Sequence, residues 1–132
     1  MKYLLCMLAF SVIFIPKVAV SPIHQVQAQT SDALDVWIQN LGNAECMNCP
    51  SNYKTIDTNG FYSYGKYQFQ LSTFVQFYSK YYGKISEQEA RIKINDYSLQ
   101  EQLVRSMITD NPLNWKNWYN SVKTKLGLPP EI

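Results

Sequence analysis

The chain has 132 residues, 46% of them apolar and 17% charged, with a formal net charge of +2. That length suits one domain with a core of its own. No segment concentrates Lys and Arg as phosphate neutralisation requires, which argues against a nucleic-acid partner.

At the start, Lys2 precedes an apolar run over residues 4–15, closed by Pro16 and Lys17. The run is too short for a bilayer core of about 30 Å and has the order of a secretory signal peptide. Val26-Gln27-Ala28 offers a cleavage site after Ala28. The expectation is a signal peptide over 1–28 and a single domain over 29–132, exported to the periplasm, cell wall or extracellular space and free of any membrane span once processed. Cys6 lacks the flanking residues of a lipid-modified cysteine. Loss of Lys2 and Lys17 leaves ten basic and ten acidic residues, a net charge near zero.

Cys46 and Cys49 are the cysteines that remain. They could stay reduced, bind a metal with help or close a small disulfide, and outside the cytoplasm the disulfide is favoured. A zinc site needs two further ligands, and the one histidine, His24, leaves with the leader, so no metal is expected. No β-branched strand precedes the pair, which speaks against a thioredoxin-like role.

Residues 29–31 read as loose. Leu34, Trp37, Ile38 and Leu41 recur at helical spacing, with Ser31 or Asp32 as cap, and predict a helix over 32–43 with Glu45 at its finish. Residues 46–66 lose all periodicity and predict a long loop or small hairpin turning at Asn59-Gly60. A loop of that length in so small a domain points to function. Ser72 is expected to cap a helix carrying Phe74, Val75, Phe77, Tyr78, Tyr81 and Tyr82, ended by Gly83. Ser86 with Glu89 and Ser98 with Glu101 are capping-box patterns for two more. Asn111-Pro112 opens a last helix that Gly127 and Pro129 stop. The fold class is all-α, about five helices with one long active-site loop or hairpin.

The loop ends in Ser63-Tyr64-Gly65-Lys66-Tyr67-Gln68-Phe69, followed closely by Thr73-Phe74. Together with the upstream acid this run resembles the lysozyme-like superfamily, in its lytic transglycosylase and resuscitation-promoting-factor branches. There a catalytic glutamate closes the first helix, and a loop leads to a small residue, glycine, two variable positions and glutamine before the next helix opens. The resemblance implies a mainly helical lysozyme-like fold and peptidoglycan glycan strands as partner. It assigns Glu45 as the catalytic acid and Ser63, Gly65, Gln68 and Tyr119 as counterparts of family positions. Two features depart from the pattern: 23 positions separate Glu45 from Gln68, and Cys46-Met47 stand where the family carries serine and glycine.

The residues support the same chemistry independently. Cleaving an acetal needs a proton on the leaving oxygen, and a glutamic acid keeps one near neutrality only when burial raises its pKa. Glu45 lies between an apolar helix and a segment rich in aromatics, the setting that does this. The alternative for Glu45 is a solvated helix end. Gly65 serves either close approach to a ligand or a plain turn; Gln68 either orients an N-acetyl group or fastens the loop. Of the 16 aromatics beyond Ala28, Trp37, Phe74, Phe77 and Trp118 are assigned to packing, and Tyr64, Tyr67 and Tyr119 to a sugar-binding groove. Asp57 is the local candidate for a second carboxylate, its alternative being a turn residue bonded to its own backbone.

The expected function is a peptidoglycan lytic transglycosylase that works with one glutamate, no cofactor and a 1,6-anhydro product. A muramidase using Glu45 and Asp57 is the first alternative. A non-catalytic exported glycan-binding or structural protein is the second, and a small secreted effector or inhibitor the third. Placement at the wall by an envelope or secretion-machine partner stays open.

Overall fold

The computed structural model describes residues 22–131, and the apolar run read as a leader lies outside them. Helix α1 spans Pro22–Glu45. It begins well before Asp32, and residues 29–31 are helical rather than loose. The physical reason is simple: Gln29 is followed by no helix breaker until Gly42, and proline is tolerated in a first turn. The boundary drawn after Ala28 therefore falls within α1. Leu34, Trp37, Ile38 and Leu41 form its buried face, each contributing about 1.5–3 kcal/mol of apolar burial.

Beyond α1 the chain makes a three-stranded antiparallel sheet in the order β1 (Lys54–Ile56), β2 (Tyr62–Tyr64), β3 (Phe69–Gln70). The hairpin therefore forms, extended by a third short strand, and the fold is mainly helical rather than all helical. Thr55 stands opposite Ser63, Ile56 opposite Tyr62 and Ser63 opposite Gln70. The turn closes through Asp57 N–H to Phe61 C=O at 2.8 Å and Gly60 N–H to Asp57 C=O at 2.9 Å. Gly60 supplies the left-handed residue, with φ of 81°.

Helix α2 (Leu71–Tyr82) follows β3 directly, with Gln70 at its cap position and Ser72 already inside. The strand hands its last residue straight to the helix, which leaves Ser72 no capping place. Ser86 and Glu89 form a reciprocal capping box at the start of α3 (Glu87–Lys93). Helix α4 (Tyr97–Asp110) is capped by Asp96, whose Oδ1 accepts the Leu99 N–H at 3.1 Å. Aspartate caps as well as serine, so the helix starts earlier than a Ser98 cap would allow. Asn111 accepts the Leu113 N–H at 3.0 Å and opens the last helical segment. That segment is not regular: Pro112–Trp118 is a 3-10 helix, α5 is the single turn Tyr119–Ser121, and Val122–Leu126 is a π turn ended by Gly127.

The core gathers the α1 face, Phe69, Phe74 and Phe77, the α4 residues Leu103, Val104, Met107 and Ile108, and Trp115, Trp118 and Val122. Trp37, Phe74, Phe77 and Trp118 are all buried. One amide sits among them. Gln100 is fully buried; its Oε1 accepts the Tyr67 N–H at 2.9 Å, and its Nε2 donates to Tyr64 C=O at 3.0 Å and Ile94 C=O at 2.6 Å. Gly65 lies against it so closely that a Cβ there would come within 2.2 Å of Nε2.

Replacing Gln100 by Leu leaves a buried backbone N–H without its acceptor, and is expected to cost about 3 kcal/mol. Urea denaturation measures it, with Gln102→Ala on the exposed face of the same helix expected within about 0.5 kcal/mol of wild type.

Candidate active site

Glu45 is the last residue of α1, and its position follows from how that helix ends. Cys46 N–H still bonds to Gly42 C=O at 2.9 Å, while Lys125 Nζ reaches back from the π turn to Ala44 C=O at 3.0 Å. A π turn carries one more residue per ring than an α turn, and here its Gly127 N–H closes on Val122 C=O at 2.8 Å. Trp37 Nε1 donates to Gly127 C=O at 3.2 Å, tying the same segment to α1 higher up. Past Glu45, a disulfide joins Cys46 to Cys49, with Cα atoms 5.6 Å apart. Asn48 between them takes a left-handed conformation, φ 61°.

The Glu45 carboxyl opens into a cavity of about 360 Å³. Thr55 and Ser63 of the sheet, Asp57 of the hairpin, Gln68, and Tyr119 and Ser121 of the last segment form its walls. A smaller cavity of about 180 Å³ adjoins it and shares Asp57, Gln68 and Trp118. Thr55 and Ser63 face it together because they are cross-strand partners.

Burial pushes the Glu45 carboxyl above its ordinary value of 4.5. The Ser121 hydroxyl and then the Lys125 ammonium pull the other way, while the Asp57 carboxylate adds to the rise. The C-terminal end of α1 also disfavours negative charge at this place. The result is a carboxyl group inclined to hold its proton in a cavity that a polar ligand can enter.

Asp57 shares that cavity, yet most of its bonding is spent on the hairpin. Its Oδ1 accepts the Thr58 N–H at 2.7 Å and its Oδ2 the Gln70 amide at 3.2 Å. Gln68, left-handed at φ 51°, donates Nε2 to Gly65 C=O at 2.6 Å. It fastens the loop and lines the cavity as well. Tyr119 is 54% exposed, its ring stacked on Trp115 at 5.7 Å between centroids, with Lys123 Nζ 6.0 Å from it.

Three of the residues assigned to a groove are not in it. Tyr64 lies one place from Ser63 in β2 and so points to the opposite face of the sheet, where it lines another cavity. Tyr67 is fully buried, its hydroxyl without a hydrogen-bond partner. Burial and the nearby Glu101 carboxylate hold its phenol far above the ordinary tyrosine value. Gly65 is buried against Gln100, so its missing side chain makes room for the core and not for a ligand.

Ser121, Thr55 and Lys116 line the cavity without having been singled out. Ser121 lies two residues beyond Tyr119, and a helix start read at Asn111 gives no sign that the segment changes from 3-10 to α pitch before reaching it. Among the described residues, no group of three or more His, Cys, Asp or Glu side chains could hold a metal ion, and no helix is long and apolar enough to cross a membrane.

Because its folded-state pKa is raised, Glu45 costs no stability below the unfolded carboxylate range and progressively more as pH climbs through the folded value. Glu45→Gln is therefore expected to melt like wild type at acidic pH and above it at neutral pH, the gap opening from about pH 4.5 upward. Thermal melts across that range check the sign. Ser121→Ala, which removes the hydroxyl that favours the ionised form, is expected to move the Glu45 titration further upward, read by carboxyl carbon NMR.

No family model matches the chain, and neither does any curated protein or solved structure.

Proposed function

We propose that the protein is an exported lysozyme-like enzyme that cleaves peptidoglycan glycan strands as a lytic transglycosylase, with Glu45 as its catalytic residue. The observation that carries the reading is a half-buried glutamic acid with a raised pKa, at a helix end, opening into a polar cavity. That is the state a general acid needs near neutral pH.

The chemistry runs through one carboxyl group. Glu45 gives its proton to the oxygen between N-acetylmuramic acid and N-acetylglucosamine, and the glycosidic bond to C1 breaks. The substrate's own acetamido oxygen steadies C1. Glu45, now ionised, takes the proton of the C6 hydroxyl, and that oxygen bonds to C1 to close the 1,6-anhydro ring. Ser121, which shares the cavity wall with Glu45, favours the ionised form that takes up the second proton, and the exposed ring of Tyr119 offers a flat face to a sugar. The free side of the Gln68 amide is a partner for an N-acetyl group. Export agrees with the leader pattern and with the disulfide, which persists in an oxidising compartment.

The muramidase alternative keeps one observation in its favour: Asp57 shares the cavity and acts electrostatically on Glu45. Against it, the Asp57 oxygens are occupied by the Thr58 N–H and the Gln70 amide.

Mass analysis of digested peptidoglycan separates the two, with 1,6-anhydromuramic ends expected and reducing muramic ends counting for the muramidase. Glu45→Gln is expected to lose activity by at least about a hundredfold with its helical circular dichroism unchanged. Full activity in that variant rejects the assignment.

A further inference from the structure

Glu45 is followed at once by a cysteine. Cys46 N–H makes the last hydrogen bond of α1, to Gly42 C=O at 2.9 Å, and its sulfur is tied to Cys49 three positions on. The turn between them is open to solvent, with Met47 71% exposed and Asn48 exposed beside it. A ring this small removes little freedom from the unfolded chain, so the bond adds little to global stability. What it holds is local.

The two sulfurs belong to the two walls of the Glu45 cavity. Cys46 continues the helix end that carries Glu45, and Cys49 Sγ approaches Gly65 C=O to 4.0 Å. That carbonyl anchors the facing wall, because it accepts the Gln68 backbone N–H at 3.3 Å and the Gln68 side-chain amide at 2.6 Å. A carbonyl oxygen has two lone pairs, and Gln68 takes both. As half of a disulfide, the Cys49 sulfur has no proton to give and leaves this arrangement alone. As a thiol it brings an S–H donor to an acceptor already in full use.

Reduction therefore acts on both walls at once. The last turn of α1 loses its covalent clip and is free to fray, as helix ends do, while Cys49 competes with Gln68 for the Gly65 carbonyl. The pair is also within reach of a reductant, since both cysteines are only half-buried.

We propose that the Cys46–Cys49 disulfide is a redox switch of the Glu45 cavity, closed in the active form and opened by a dithiol reductant. The proposal rests on the glycan-cleaving reading of that cavity. One thiolate of the reductant attacks a sulfur of the pair, and its second thiol resolves the mixed disulfide. The Cys46–Cys49 bond breaks, the reductant closes a disulfide of its own, and two electrons and two protons pass to the cysteines. In an oxidising compartment the bond is intact and the cavity assembled.

The test compares the isotope-labelled full chain before and after dithiothreitol, with no glycan present. On reduction the Gln68 side-chain amide signals are expected to shift. The Glu45 carboxyl titration is expected to move down toward 4.5, because the burial that holds it up against Ser121 and Lys125 is lost at a frayed helix end. Both return on reoxidation, with helical circular dichroism unchanged throughout. Cys46→Ala, which leaves Cys49 a free thiol, is expected to show the reduced behaviour with or without reductant. Strand cleavage by the wild type is expected to fall about a hundredfold on reduction. An unmoved Glu45 titration, an unmoved Gln68 amide, undiminished cleavage, or a response of Cys46→Ala to reductant overturns the proposal. Loss of the helical signal on reduction overturns it too, by making the bond a support of the whole fold. The spectroscopic readouts need no substrate, so a protein that passes them and cuts no strand keeps the redox coupling and loses only the catalytic reading of Glu45.

Discussion

The amide of Gln100 is the contact on which the site's placement depends. It stands in the middle of an apolar core, where an unpaired polar group is costly, and it holds backbone groups of both Tyr64 and Tyr67. Between those residues lies Gly65, which tolerates the contact because it has no side chain. Trp118 adds a second buried bond, from Nε1 to Tyr67 C=O at 2.8 Å. Helix α4 and the last segment thus grip the strand connection from inside, and Ser63 and Gln68 on either side are presented to the cavity as a consequence.

The opposite wall is made at the end of α1. Lys125 satisfies a terminal carbonyl there, and the same lysine favours ionisation of Glu45 that burial opposes. Two demands meet in one residue, since the helix end needs a cation and the acid needs to keep its proton. Burial is the larger influence, and the carboxyl stays raised. Ser121 sits between these pulls as a hydrogen-bonding partner whose contribution is smaller than that of burial.

Much of the helical framework could be read from the chain because its signals are local. The apolar spacing of Leu34, Trp37, Ile38 and Leu41, the Ser86 and Glu89 box, and the Asn111-Pro112 opening each act within one or two turns. Glu45 at a helix end and Asn59-Gly60 at a turn were legible for the same reason. What escaped were the effects of contacts distant in sequence. Gln100 reads as one more polar helix residue until Gly65 and Tyr67 are brought to it. Tyr64 and Tyr67 looked alike as aromatics near a glycine, yet strand alternation sends one outward and the grip of Gln100 and Trp118 sends the other into the core. Asp96 displaced Ser98 as cap because either residue can do the work and only packing chooses. Ser121 came to the cavity through a change of helical pitch that no periodicity announces.

A ribbon of three short strands here divides two environments of different polarity. Adjacent residues of β2 belong to opposite neighbourhoods, so drift at positions 62 and 64 can alter one while 63 keeps the other intact. The same arrangement makes the strand intolerant of slippage, because a shift by a single residue would exchange the aromatic and polar linings outright. Gly65 and Gln68, both left-handed and both anchored, act as a ratchet against that error, and their value to the protein is measured in alignment rather than in contact with any ligand.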